Sequence, residues 1–524
     1  MSKFNRTVIT LSIIAGLVSA GALVYTSIPT ALDNQTDDKT NSLAVPSTLE
    51  GFYAQKPLWS DCEGENQEAR CGFVQVPLNW NKPEEGAIKI AIAINPAIDP
   101  ESSPYLLMNP GGPGGSGVNW ITQYIDSLGT SELRSNYNIV GFDPRGVGQS
   151  TAVKCYDSEG MRSFLYDASP YAYGSEDDLE YSKEAIKDFG AACLKNTGAL
   201  LGHVDTSSAA KDMDIIREVL GSEKLNYLGY SYGTLLGATY ASFFPTKVGR
   251  FVLDGVVDPT SNPSDDSVSQ LIGFESAMRS YLADCIENES ECPFKGLTVE
   301  EALNKVGKDF LEVLEKGPVQ TSDGDRELTI NSGFTGIIAA LYSKDSWSYL
   351  TQAFTEFFDK KDSDGAVFLL LADSYFTYDS ATEVFGSNDN EAFKAITCID
   401  GRESDDPKDM EAQNERVLGI SKVFGRYWKY GGLACNGWPF DVVPGPTDYS
   451  AKGAPTMMVI GTTNDPATPY SQAKNFANNV LANGWLLTFE GEGHTAYGSS
   501  NECVANTVDD FLINNKLPAK EKTC

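Results

Sequence analysis

Two early stretches of the chain alternate apolar and polar side chains: Phe73-Val74-Gln75-Val76-Pro77-Leu78 and Ile88-Lys89-Ile90-Ala91-Ile92-Ala93-Ile94. A period of two puts alternate side chains on one face, so these segments predict an opening pair of half-buried antiparallel strands. The pattern then changes to short continuous apolar runs. They are Tyr105 to Met108, Tyr137 to Phe142, Leu225 to Leu228, Phe251 to Leu253, Thr456 to Ile460 and Trp485 to Phe489, most of them bounded by glycine, asparagine or an acidic residue. Strands apolar on both faces are buried on both, and helical stretches such as Ala209 to Leu220 separate some of them. The combination predicts an α/β fold with a mostly parallel central sheet covered by helices.

From about Pro259 to Pro444 the rhythm is helical instead, with candidate helices at Ser267 to Ile286, Thr298 to Lys316, Trp347 to Lys361 and Asp409 to Tyr427. About 185 residues between two core strands are too many for a loop. The interval 259–444 is therefore expected to be an inserted helical cap domain over the C-terminal edge of the sheet. Residues 51–258 and 445–524 then form the two parts of the core. No internal repeat stands out in the 524 residues.

The first 28 residues carry a basic start, Lys3 and Arg6, and an apolar run from Val8 to about Ile28 with Ala20-Gly21-Ala22 inside it. This is the pattern of a secretory signal peptide. An uncleaved anchor is the alternative, because the run approaches the roughly 20 residues a membrane helix needs. Residues 29–50 read as a polar linker. Either reading places the body of the protein outside the cytoplasm, and ten cysteines suit an oxidising compartment. Their order suggests the local pairs Cys62–Cys71, Cys155–Cys193, Cys285–Cys292, Cys398–Cys435 and Cys503–Cys524, although sequence leaves connectivity open. No C-x-x-C occurs and there are only two histidines, so zinc is a poor alternative. A net charge of −32 excludes nucleic acid as a partner. The acidity serves solubility, or in part a negative funnel for cationic substrates such as peptide N-termini.

The chemistry centres on Gly229-Tyr230-Ser231-Tyr232-Gly233, which follows an apolar strand and precedes a small-residue helix, Thr234 to Phe244. In that context Gly-x-Ser-x-Gly is a nucleophile elbow: glycines permit the tight turn, and the hydroxyl is lifted over the sheet edge at a helix N-terminus. A serine hydroxyl needs a base. His494, in Gly491-Glu492-Gly493-His494, lies beyond the last core strand, and Asp465 lies in the loop after the penultimate one. Ser…Asp…His is the chain order of the α/β-hydrolase fold. His203 precedes the elbow and reads as structural. The run Asn109-Pro110-Gly111-Gly112-Pro113-Gly114-Gly115-Ser116-Gly117 follows an early core strand, where an oxyanion loop belongs. Gly112, or its neighbour Gly111, is expected to supply one N–H and Tyr232 the other. Pro113 spoils a dinucleotide reading of the same glycines, and no P-loop ending is present. Asp362-x-Asp364-Gly365 lacks the flanking ligands of a calcium loop. No metal or cofactor is called for.

Together, the glycine–proline loop, Gly141-Phe142-Asp143-Pro144-Arg145-Gly146-Val147-Gly148-Gln149-Ser150, the elbow, Asp465 and His494 resemble the secreted tripeptidyl aminopeptidases. That family belongs with the proline iminopeptidases among serine α/β-hydrolases, and the resemblance runs from about Trp59 to the C-terminus. Asn109-Pro110 stands where many proline iminopeptidases carry a histidine. The resemblance implies an exopeptidase releasing short peptides or single residues from free N-termini, with a cap carboxylate holding the substrate ammonium. Asp400 is the first candidate for that carboxylate, with Glu403 and Glu275 as alternatives. An esterase with the same triad is the second reading, and a non-catalytic binding protein on this scaffold the third. Membrane association is expected only if the N-terminal segment stays attached. Residue preference and oligomeric state are left open.

Overall fold

The computed structural model describes residues 45–359, 361–519 and 521–524. The signal-like segment 1–28 and most of the linker lie outside them. Ten strands form one sheet: β1 (Ser60–Asp61), β2 (Arg70–Pro77), β3 (Ala87–Asn95), β4 (Tyr105–Asn109), β5 (Asn138–Phe142), β6 (Leu225–Tyr230), β7 (Val248–Asp254), β8 (Met457–Asn464), β9 (Gly484–Glu492) and β10 (Lys522–Thr523). Their order across the sheet is β1-β2-β3-β5-β4-β6-β7-β8-β9-β10. The pairs β1–β2, β2–β3 and β3–β5 are antiparallel. Every pair from β5 onward is parallel.

The apolar runs of the sequence fall on these strands because the sheet is covered on both sides. Val140, Phe251, Leu253 and Val459 face one buried layer, while Ile139, Val252, Met458 and Ile460 face the other. The alternation is that of a pleated strand with no solvent face. From β4 the chain first moves to β5 on one side and later returns to β6 on the other. The loops leaving the C-terminal ends of β4 and β6 therefore diverge and open a crevice, the usual place for a ligand in such a sheet.

Helices between β7 and β8 pack around a separate apolar cluster. On Pro263–Asn288, buried Leu271, Phe274, Met278, Leu282 and Cys285 recur every three or four residues. They are joined by Phe310, whose ring centroid lies 4.3 Å from that of Phe368 and 4.7 Å from that of Phe357. Such aromatic pairs contribute about 0.5–1.5 kcal/mol each beyond their buried area. The helices Ile330–Leu341, Ala366–Phe376 and Asp389–Asp400 escape the sequence reading. The interval is also not of one allegiance: Ala392, Ala395, Ile396 and Ile399 face the sheet's own core, whereas Tyr166, from before β6, joins the cap cluster. The cysteines pair as their order suggests, in five disulfides.

Arg145 of the Gly141–Ser150 segment is fully buried. Its Nε and Nη2 donate to the two oxygens of Asp212, each at 2.7 Å. The remaining guanidinium hydrogens go to the carbonyls of Pro77, Leu78 and His203, at 2.8–3.1 Å. His203 thus serves this junction through its backbone. A buried pair is worth little over an apolar replacement, but removing one partner strands the other charge. Arg145→Leu is expected to lower stability by about 3–5 kcal/mol in chemical denaturation with disulfides intact.

Candidate active site

Ser231 follows β6 and stands at the N-cap of helix Tyr232–Phe243, with φ 54° and ψ −124°. Positive φ in a non-glycine residue costs about 1–3 kcal/mol and persists only where surroundings impose it. Here the neighbours of the turn are glycines by necessity. A Cβ on Gly229 would lie 2.5 Å from the Gly233 carbonyl oxygen, and one on Gly233 would lie 2.8 Å from the Asn109 carbonyl oxygen. The serine N–H donates to the Asp254 carbonyl (2.9 Å). Thr234 binds the Ser231 carbonyl through its hydroxyl (2.6 Å). Although Ser231 occupies a cap position, its side chain makes no capping bond. The hydroxyl is left for chemistry at a helix N-terminus, where developing negative charge is favoured.

Asp465 and His494 are 2% and 3% exposed. His494 Nδ1 lies 2.9 and 3.0 Å from the two oxygens of Asp465. The carboxylate also accepts from the N–H groups of Ala467 (2.9 Å), Thr468 (2.8 Å) and Thr495 (3.3 Å) and from the Thr468 hydroxyl (3.0 Å). An ionised carboxylate only accepts, so Nδ1 carries the imidazole proton and Nε2 presents its lone pair. Nε2 is buried and has no hydrogen-bond partner among the described residues. The cap closes over this ring: Tyr342 meets it edge to face with centroids 5.4 Å apart, and the Tyr342 carbonyl accepts the His494 N–H (2.8 Å). Helix Pro263–Asn288 approaches the acid loop so closely that a Cβ on Gly273 would lie 2.3 Å from the Pro466 carbonyl oxygen.

The glycine–proline loop leaves β4 beside the elbow. A Cβ on Gly111 would lie 2.6 Å from the Tyr230 carbonyl oxygen and 3.0 Å from Ser231 Cβ. Gly111 spends its N–H on the side-chain oxygen of Asn109 (3.0 Å). Among the described residues nothing accepts the N–H of Gly112, and Tyr232 opens its helix, where N–H groups lack helical acceptors. Neither N–H of the expected pair is thus spent on an acceptor among the described residues. The loop is braced by Asp143, which accepts from Ser116 Oγ (2.6 Å) and the Val118 N–H (3.1 Å).

Two of the three expected ammonium-binding carboxylates are engaged elsewhere. Glu275 binds Arg279 (2.8 and 2.9 Å) and Ser421 (2.7 Å), because an arginine four residues on shares its helix face. Asp400 accepts the N–H (2.8 Å) and hydroxyl (2.5 Å) of Thr206, closing the start of helix Thr206–Val219. Glu403 lines a cavity of about 20 Å³ with Ser264, Asp409 and Gln413, too small for a residue of substrate. A carboxylate outside the sequence reading, Asp389, sits against the oxyanion loop instead. A Cβ on Gly114 would lie 2.6 Å from the Asp389 carbonyl oxygen. Neighbouring Asn388 fixes the position, bonding Gly148 (2.8 Å), Gly146 (2.9 Å) and Val153 (2.9 Å). Asp389 Oδ1 is buried with no partner among the described residues. Burial, and to a lesser degree the charge of Asp143, push its carboxyl up to about 7 against the lowering effect of a hydrogen bond with Ser387. An ammonium placed there would restore the ionised form.

Two family models match the chain: one described as the alpha/beta hydrolase fold covers residues 104–292, and one described as TAP-like protein covers residues 421–524. Serine protease Hip1 of Mycobacterium tuberculosis is 33% identical over 482 residues, covering 89% of this chain and 90% of that protein. Carboxylesterase B of the same organism is 34% identical over 483 residues, covering 90% of each. The tripeptidyl aminopeptidase of Streptomyces lividans is 27% identical over 525 residues, covering 98% of this chain and 95% of the relative. An α/β-hydrolase sheet and relatives similar along nine-tenths of its length make this chain a member of the TAP-like family of serine hydrolases, which act as peptidases or esterases.

Proposed function

We propose that the protein is an exported serine exopeptidase that removes short peptides or single residues from free N-termini through an acyl-enzyme on Ser231. His494 Nε2 takes the hydroxyl proton as oxygen attacks the scissile carbonyl, and Asp465 stabilises the resulting imidazolium. The N–H groups of Gly112 and Tyr232 receive the oxyanion. His494 then returns the proton to the leaving amine, and water repeats the sequence on the acyl-serine.

The observation that carries the exopeptidase reading is the unpartnered carboxylate oxygen of Asp389 beside the oxyanion loop. An anion there suits a substrate ammonium a residue or more from the scissile bond. The name of the Streptomyces relative agrees. Export is supported by the five disulfides. The esterase alternative is favoured by the Mycobacterium relative named a carboxylesterase.

An unblocked hexapeptide amide, digested and followed by mass spectrometry, should lose fragments from its N-terminus only. Internal cleavage, or ester turnover with no peptide cleavage, would refute the proposal. Asp389→Asn should reduce kcat/KM for free tripeptidyl amides by about 30-fold or more, the usual cost of removing one partner of a desolvated charge pair. The N-acetylated analogue should lose far less, so the free-to-blocked ratio collapses. An unchanged ratio removes Asp389 from the ammonium site.

A further inference from the structure

We propose that Asp254, the last residue of β7, is a positioning residue that locks the nucleophile turn and the histidine turn to each other. The inference rests on Ser231 and His494 acting together and concerns how their relative position is set.

Asp254 is fully buried and holds both turns at once. Its backbone carbonyl accepts the Ser231 N–H (2.9 Å). Its carboxylate accepts the Ala496 N–H on both oxygens (3.1 and 3.0 Å) and the Tyr497 N–H on one (2.7 Å). These N–H groups follow His494 by two and three residues. Between His494 and these donors lies Thr495 at φ 65°, a conformation that β-branched residues rarely adopt. Ser231 is strained in the same sense, at φ 54°. One residue thus grips the backbone beside two positive-φ non-glycine residues, Ser231 and Thr495.

The next residue brings the two turns into contact. Gly255 has φ 67°, and a Cβ there would lie 2.9 Å from Thr495 Cγ2, 3.1 Å from Thr468 Oγ1 and 3.2 Å from His494 Cε1. The β7 terminus therefore lies directly against the edge of the imidazole. Asp465 holds the histidine loop by Nδ1 and the Thr495 N–H, and Asp254 holds it just downstream. The titratable groups whose charges bear on Asp254 are His494 and Asp465, and Tyr230 feels it in turn. Two backbone donors making three contacts on the two oxygens suit the ionised carboxylate, although burial raises its pKa to about 7. A negative charge beside His494 also favours the imidazolium formed during catalysis.

Asp254→Asn keeps the shape but sets an amide N–H₂ against the Ala496 N–H and removes the charge. The test is ester turnover, normalised to sites titrated with a fluorophosphonate so that misfolded protein does not count. Per titrated site, kcat should fall by about 10–100-fold, since displacement by ~1 Å costs up to that much. KM should stay within about twofold, because no substrate contact is altered. A loss confined to the titratable fraction, with kcat per site unchanged, would overturn the proposal. Ser231→Ala assayed on the same ester reports separately on the nucleophile: activity there would sink that assignment rather than this one.

Discussion

Ser231→Ala is expected to lower kcat by about 10⁴-fold or more while leaving KM near its wild-type value. The turn itself should survive, because Ser231 contributes its backbone N–H and carbonyl to the elbow and its side chain caps nothing. Substrate binding should survive for the same reason. What disappears is the hydroxyl proposed to form the acyl-enzyme, and the remaining acceleration comes from the proposed oxyanion donors and from binding. A fluorophosphonate should label wild-type protein once, on the peptide carrying Ser231, and should leave the variant unlabelled. Near-normal activity of the variant, or a label on another residue, would remove the nucleophile from this position.

Asp465→Asn should be almost as damaging, with kcat reduced by about 10⁴-fold at neutral pH. The carboxylate receives His494 Nδ1 on both oxygens and three backbone N–H groups besides. An asparagine amide would replace one acceptor by a donor. If that donor faced the imidazole, Nδ1 would have to accept, the proton would sit on Nε2, and the base would present N–H to the serine instead of a lone pair. If the amide flipped, its N–H₂ would oppose the N–H groups of Ala467 and Thr468. Either outcome spoils the tautomer or the loop. Melting temperature and fluorophosphonate reactivity, measured together, separate the two, and wild-type kcat would contradict the assignment of the acid.

The placing of Ser231, Asp465 and His494 at one edge of the sheet was legible in the sequence because chain order reports position in this fold. A serine after β6, an aspartate after β8 and a histidine after β9 must all emerge at the C-terminal edge of a parallel sheet. The strands were legible for a related reason, since burial on both faces writes itself as unbroken apolar runs. Partners across the fold leave no such mark. Glu275 and Arg279 are neighbours on one helix, so their pairing could have been anticipated from the four-residue spacing. The Asp400–Thr206 contact spans 194 positions and could not. Asp389 stands in the polar run Asn388-Asp389-Asn390-Glu391, which reads as a solvated helix start. Only the docking of Asn388 on the Gly146–Val153 segment takes it inside. Asp254 carried a faint signal: an acidic residue ending an apolar core strand, just before glycine, at the edge where the site lies. The helix Asp389–Asp400 shows why the cap limits were hard to place. Helical spacing tells which face is buried, not which core buries it.

The most direct measurement of the account is the ratio of kcat/KM for free and N-acetylated forms of the same tripeptidyl chromogenic amide, run beside aminoacyl and dipeptidyl amides and a short-chain ester. An N-terminal exopeptidase shows strong preference for at least one free-amine substrate, and loses that turnover in Ser231→Ala. Equal cleavage of free and blocked amides would contradict that function.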